Sequence, residues 1–229
     1  SGLATSIYQE GVRIPPIKLY ERGRVNEGVM RLLLSNMRLP DERYGDLNAS
    51  LGACRVAEQR IEKILGKYGR TLVLDCISEH LDRSERRIRA RIKDLHDGEY
   101  CYEDYLEYYD GDVLDPVLMR LRLKVSGDQL TADFDGSSPQ VPGVVNSSLA
   151  VAGAGVFVAV KSTLDPEGPV NSGAFRAIAL NAPEASIVDV RDDAPAGAHG
   201  EVRKRAVSVM LGALRSEEHT SELQSRTNL

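Results

Sequence analysis

The chain has 229 residues and a mass of 25.1 kDa, 42% of them apolar and 28% charged, enough for one or two ordinary cores and outside the disordered, collagenous and coiled-coil classes. Lys plus Arg number 29 against 34 Asp plus Glu, a formal charge of −5, which argues against nucleic acid as the partner. The longest strongly apolar run, Leu149 to Val160, holds two glycines and stops at Lys161, short of the ~20 residues a membrane span needs; Cys54, Cys76 and Cys101 form neither a disulfide framework nor a CxxC clip, so a reducing cytoplasm is the expected location.

The first residues, Ser1-Gly-Leu-Ala-Thr5, carry no initiator Met, basic n-region or apolar h-region, and are expected to begin a piece of a longer chain. From Ile7 to Tyr20, apolar residues alternate with polar ones around Pro15-Pro16, which predicts an extended segment at a sheet edge. Asn26 caps a helix with Val29, Met30, Leu33, Leu34 and Met37 at helical spacing, ending before Pro40. A long helix over 41–68 places Leu47, Leu51, Cys54, Ile61, Leu65 and Tyr68 on one stripe, and Gly69 stops it. Another over 71–95 carries Val73, Ile77, Leu81, Ile88, Ile92 and Leu95. The short joint between them predicts an antiparallel helical hairpin.

After Asp97-Gly98 the period changes to two. Tyr100, Tyr102 and Tyr105 mark one strand, and 117–125 alternates Val117, Met119, Leu121, Leu123 and Val125 against Arg120, Arg122 and Lys124. A Ser126-Gly127-Asp128 turn leads into 129–134, completing an antiparallel meander with one wet face. Residues 148–164 predict a buried small-residue helix in which close backbone packing compensates for Gly153 and Gly155. The stretch 166–195 is loop-rich with short strands near Ile178 and Ile187, and a last helix runs over 199–214. The fold class is α+β: a helical hairpin, an antiparallel β meander and additional helices, forming part of a larger multi-domain subunit. The expected organisation is 1–40 (extended segment and first helix), 41–96 (hairpin), 97–214 (α+β region) and 215–229. That last stretch resembles the in-frame translation of a sequencing adapter and is set aside from functional reasoning.

Few clusters carry chemistry. The basic run Arg83 to Lys93 is interrupted by Glu85 and has Ile88 and Ile92 as a buried stripe, so it reads as a solvated helix face. The tyrosines at 100–109 alternate with acidic residues and read as strand packing. His80, His96 and His199 form no HxH or HxxxH pair, and neither GxSxG, Walker A nor GxGxxG occurs. Cys54 and Cys76 sit on helix stripes and read as core thiols. Three polar clusters combine a carboxylate or amide with glycines that permit close backbone approach: Glu10-Gly-Val-Arg-Ile-Pro-Pro16, Asp133 through Asn146, and Asn171-Ser-Gly-Ala-Phe-Arg176. Turn chemistry explains each of them equally well.

At these residues the chain resembles the hydantoinase B and oxoprolinase family. The resemblance rests on Tyr8-Gln-Glu-Gly-Val-Arg-Ile-Pro-Pro-Ile-Lys-Leu19, Asp46-Leu, Ala53-Cys-Arg, Tyr102-Glu-Asp-Tyr105, Phe134-Asp-Gly-Ser-Ser-Pro-Gln-Val141 and Asn171-Ser-Gly-Ala-Phe-Arg176, in order through nearly all of residues 3–214. It implies an amidohydrolase component acting on a small cyclic amide of the hydantoin or 5-oxoproline type. It also implies a divalent metal in the full-length subunit and a hetero-oligomer with an A-type subunit that uses ATP. The same pattern resembles subunits of acetone-carboxylase-like enzymes; a third reading is an inactive helical module that docks a partner. The family's His- and Asp-rich metal stretch precedes the Glu-Gly-Val-Arg-Ile-Pro-Pro motif, so the metal ligands are expected upstream of Ser1. On this resemblance Glu10 is the expected catalytic residue, orienting a metal ligand or water. Asn146, Asn171 and Arg176 are expected to bind ring carbonyls or the product carboxylate. His199 and Glu201, where similar proteins carry Gly-Gly-Asn, have no assigned role.

Overall fold

A computed structural model describes residues 3–110, 113–191 and 193–227, with the backbone alone at 110 and beyond Ser216. Residue contacts divide it into two compact units, Val12–Ser78 and a larger one formed by the chain up to Gly11 with the residues from Glu79 onward.

In the smaller unit, β1 (Tyr20–Glu21) and β2 (Arg24–Val25) pair antiparallel across Arg22-Gly23, which sit at φ +50° and +77°, the left-handed conformation a two-residue hairpin turn demands. Asn26 Oδ1 accepts the Val29 amide at 3.2 Å and starts α1 (Glu27–Ser35), as predicted. α2 (Pro40–Tyr68) opens on proline and closes at Gly69, φ +79°. Tyr20 donates its hydroxyl to Asn48 Oδ1 at 3.1 Å, and α1 packs on α2. α3 (Arg70–Ile92) follows Gly69 directly and carries the chain into the larger unit.

Two expectations fail in this unit. Residues 12–19 form no strand among the described residues; Pro15 and Pro16 remove the donors a ladder would use. The apolar stripe of α2 is not buried: Leu47, Leu51 and Leu65 are half-buried, while Cys54, Ile61 and Tyr68 are exposed. Cys54 and Cys76 are therefore not core thiols, and Cys101 is exposed as well.

The larger unit begins with a 3₁₀ turn at Ile7–Gln9 and continues from the second half of α3 through β3 (Gly98–Leu106), β4 (Tyr109–Asp110), β5 (Val113–Leu114), β6 (Val117–Ser126), β7 (Gln129–Asp133), α4 (Leu149–Leu164), a 3₁₀ turn at Ser172–Phe175, β8 (Ile178–Asn181) and α5 (His199–Thr227). β4 and β5 form a small antiparallel pair of their own. The main sheet has the order β3-β6-β7-β8. Its first three strands are the predicted antiparallel meander, and Gly127 takes φ +58° in the β6–β7 turn. Val117, Met119, Leu121, Leu123 and Val125 are buried on one face, as the alternation of β6 requires.

α5 lays Val202, Ala206, Val209, Met210 and Ala213 against that face, all fully buried, at the 3.6-residue period of an amphipathic helix. α4 packs on α5. A Cβ at Gly155 would lie 2.6 Å from the Arg203 carbonyl oxygen, so the predicted close backbone contact is present, and Gly155 is what permits it. No described helix is long and apolar enough to cross a membrane.

The remaining differences lie late in the chain. β8 pairs parallel with β7, from Leu130↔Ile178 to Asp133↔Asn181, across the α4 crossover. Ile187 and Val188 are buried but form no strand; Ser186 makes only isolated bridges to Pro139 and Asp189. The backbone of α5 continues past the expected end at Leu214 to Thr227, and Leu214 is the last buried residue among the described side chains, which end at Ser216. Of the stretch set aside, residues 228 and 229 lie outside the described residues.

Candidate functional site

Three segments of the larger unit cross where α5 begins: the N-terminal turn, the loop after β7 and the run 193–199. The Ile7 amide donates to the Asp193 carbonyl at 2.8 Å, the Ser147 amide to Ile187 at 2.8 Å, and the Ala198 amide to Val144 at 3.0 Å. Glu10 closes the crossing. Its Oε2 accepts the Ala196 amide at 3.0 Å and its Oε1 the Gly197 amide at 2.5 Å. A Cβ at Gly197 would stand 2.7 Å from Glu10 Oε1, so a side chain there would push the carboxylate away.

Asn146, fully buried, holds the same turn from the other side. Its Nδ2 donates to the carbonyls of Val141 (2.9 Å), Gly143 (2.8 Å) and Pro195 (2.8 Å), and its Oδ1 accepts the Val141 amide at 2.9 Å. Every polar atom of the side chain is thus engaged within the protein, which a buried amide requires. His199, the first residue of α5, sets its Nδ1 3.0 Å from the Ala196 carbonyl oxygen and keeps its ring exposed.

Clefts flank this crossing. One of about 410 Å³ lies between Ala4, Thr5, Glu107, Tyr108 and the loop 142–145. Another of about 550 Å³ is lined by Asp104, Tyr105, Glu107, Glu201, Lys204 and Arg205, with Arg205 paired to Asp104. Gly143 lines the first cleft, and a Cβ there would fall 2.5 Å from the Tyr108 ring. The first is lined by apolar and aromatic surface with Glu107 as its one charge, and the second mixes both charges beside Tyr105.

A second polar cluster is separate in its partners. Asn171 donates to Ser84 Oγ at 2.9 Å and accepts the Ala174 amide at 3.3 Å, capping the Ser172–Phe175 turn. Arg176 bridges Asp82 (2.7 Å) and Glu85 (3.1 Å); Glu85 also binds Arg89 (2.8 Å), which reaches Asp128 at 3.0 Å. Arg89, and after it Arg176, hold the Glu85 carboxyl below the usual carboxylate value. The turn lies hard against α3, for a Cβ at Gly173 would meet the Leu81 carbonyl oxygen at 2.0 Å, and Phe157 stacks on Phe175 with centroids 4.4 Å apart.

Beside this cluster, Asp165 is buried between Lys161 Nζ at 3.1 Å and Arg87 Nε at 2.6 Å. Burial pushes its carboxyl up, but hydrogen bonds from Arg87 and Lys161 outweigh it, and the net shift is downward.

The four residues singled out from the sequence therefore fall into two pairs. Glu10 and Asn146 meet at Pro195–Gly197; Asn171 and Arg176 meet α3 between Asp82 and Glu85. The Lys161–Asp165–Arg87 triad was not foreseen, although a lysine inside an apolar helix with an aspartate four residues later signals it. Among the described residues no three His, Cys, Asp or Glu side chains gather to hold a metal, so the donor set does not fit a divalent cation.

The family model described as hydantoinase B/oxoprolinase matches residues 1–228. The beta chain of caprolactamase from Pseudomonas jessenii is 35% identical over 84% of this chain and 33% of its own length. A protein of Pseudomonas sp. strain NS671, provisionally named as the B component of a D-/L-hydantoinase, is 33% identical over 92% of this chain and 37% of its own length. The crystal structure of the ATP-dependent caprolactamase from Pseudomonas jessenii superposes at a TM-score of 0.88 with 30% identity, covering 94% of this chain and 38% of that one. Nucleotide-free acetone carboxylase shares the fold at a TM-score of 0.84 and 17% identity, over 96% of this chain and 31% of its own. The chain thus spans about a third of the length of these two curated relatives. With the family's order of motifs and its fold both present, the chain belongs to the hydantoinase B/oxoprolinase family.

Proposed function

We propose that this chain is part of a B-type subunit that opens a small cyclic amide, of the hydantoin or 5-oxoproline type, together with an A-type partner subunit that uses ATP. The likeness to the ATP-dependent caprolactamase over nearly the whole chain carries this reading. An amide carbonyl is a poor electrophile, and phosphorylation of its oxygen by ATP on the partner makes the ring carbon open to water; C–O bond formation and C–N cleavage then free the amine and leave an acyl phosphate, which a second water hydrolyses to the open-chain acid and inorganic phosphate. A divalent metal in the full-length subunit is part of the proposal, while the described residues supply no ligand set for it. The reaction is expected in the cytoplasm.

In this reading Glu10 acts by fixing the turn before α5, and Asn146 by holding the loop that borders the clefts. Asn171 and Arg176 shape the Ser172–Phe175 turn; for Arg176 to meet a substrate carboxylate it must exchange Asp82 and Glu85 for it. The test is the full-length subunit assembled with its partner and given hydantoin, 5-oxoproline or caprolactam with ATP. Ring opening that needs ATP and no bicarbonate is expected. A bicarbonate-dependent carboxylated product would assign the acetone-carboxylase-like reaction instead, and ATP turnover with neither product would overturn the proposal.

A further inference from the structure

We infer that Glu10 sets the ring state of His199 through the Ala196–Gly197 peptide bond, and that His199 Nε2 is the proton acceptor this turn presents. The Ala196 carbonyl oxygen lies 3.0 Å from both the backbone amide and Nδ1 of His199. A carbonyl oxygen only accepts, so Nδ1 carries the proton, and in the neutral imidazole the lone pair is left on Nε2. Nε2 makes no bond among the described residues, and the ring is exposed.

The other end of the same peptide is held by charge. The Ala196 carbonyl shares its amide with the Gly197 N–H, which Glu10 Oε1 accepts at 2.5 Å, and a carboxylate on the N–H of an amide makes its carbonyl a stronger acceptor, since hydrogen bonds in a chain polarise one another. Oε2 on the Ala196 amide fixes the carboxylate's rotation, and Asn146 on the Pro195 carbonyl fixes the turn. The result is a carboxylate–peptide–imidazole relay, the arrangement that orients a basic histidine, with one peptide unit interposed. Glu10 is a positioning residue in it.

What the lone pair does rests on the hydrolase reading above. As water adds to the activated ring carbon, its O–H proton passes to Nε2; the imidazolium then returns that proton to the ring nitrogen as the C–N bond breaks, leaving His199 neutral.

Long-range ¹H–¹⁵N spectra of this chain with labelled histidine, taken above the ordinary imidazole pKa of about 6.5, test the relay without substrate. His199 is expected as the Nδ1–H form. Glu10→Gln should move its population toward the Nε2–H form while His80 and His96, outside the crossing, do not change. A wild-type His199 protonated mainly on Nε2 overturns the inference, as does a folded Glu10→Gln chain with an unchanged His199. If Glu10→Gln does not fold, the wild-type spectrum decides alone. In the full-length assembly, His199→Gln should lower kcat by about 10²–10⁴-fold with KM nearly unchanged. An active wild type with an equally active His199→Gln variant removes the proton-acceptor role. A wild type that opens no cyclic amide removes the hydrolase reading and leaves the tautomer result standing.

Discussion

Asn146 donates its buried side-chain amide to the carbonyl of Pro195, 49 positions further along, at 2.8 Å, and so ties the loop after β7 to the turn that starts α5. Removing the amide leaves the Pro195 and Val141 carbonyls without that donor. Asn146→Ala is expected to cost about 1–3 kcal/mol, read as a lower urea midpoint with an unchanged slope. An unaltered midpoint would show that the crossing does not depend on this side chain.

The Lys161–Asp165–Arg87 triad predicts both a mutational and a pH response. Asp165→Asn leaves Lys161 buried without its anion and should cost about 3–5 kcal/mol; Lys161→Met in the same chain should recover much of it. The Asp165 carboxyl is held below its ordinary value of 3.8, against the pull of burial, by Arg87 and Lys161. A depressed carboxylate stabilises the fold above its unfolded pKa, and that contribution is lost as pH falls through the lower folded value. Acid unfolding below about pH 4 should therefore be shallower in Asp165→Asn than in the wild type, as followed by circular dichroism.

Glycines separate into two classes by what surrounds them. Gly155→Ala and Gly173→Ala would drive a methyl into the Arg203 and Leu81 carbonyl oxygens, 2.6 and 2.0 Å away, and should each cost about 1–3 kcal/mol. Gly52 and Gly66 on α2 face open space. There Gly→Ala should raise stability by about 0.5–1 kcal/mol, because alanine loses less backbone entropy in a helix. Thermal melts of the four variants should show shifts of opposite sign.

Arg176→Ala should leave the thermal midpoint nearly unchanged, since Arg176 and its partners Asp82 and Glu85 are open to solvent screening. In the assembled enzyme the same variant reports on substrate. A raised KM with kcat retained would mean that Arg176 leaves its carboxylates for the ligand; an unchanged KM would mean that it only holds the turn.

Much of the larger unit was legible because its signals are local. The alternation of Val117 to Val125, the Gly127 turn and the small-residue helix with Gly155 each state their burial in their own spacing, and the structure agrees. α1 was legible from a single cap, Asn26. The smaller unit was misread where a stripe was taken to imply burial: the apolar positions of α2 are spaced for a core, but within this unit they remain exposed or half-buried. The parallel β7–β8 pairing was hidden because periodicity specifies a face and not a neighbour. Glu10 and Asn146 were found as polar residues beside glycines, yet their shared target at Pro195–Gly197 has no mark in sequence, since backbone amides and carbonyls are the same at every position.

Glu10 waits for its partner. The Gly197 amide it binds lies 187 positions later, so on a ribosome adding roughly 5–20 residues per second the carboxylate is exposed to water for about 10–40 s before the turn that it fixes has been made. The crossing can close only after the sheet and α4 are in place. A chain interrupted between Asn181 and Ala196 would contain every described strand and α4 but neither this turn nor α5, leaving the sheet face that α5 covers exposed, so abundance and activity should be lost together in such truncated or stalled products.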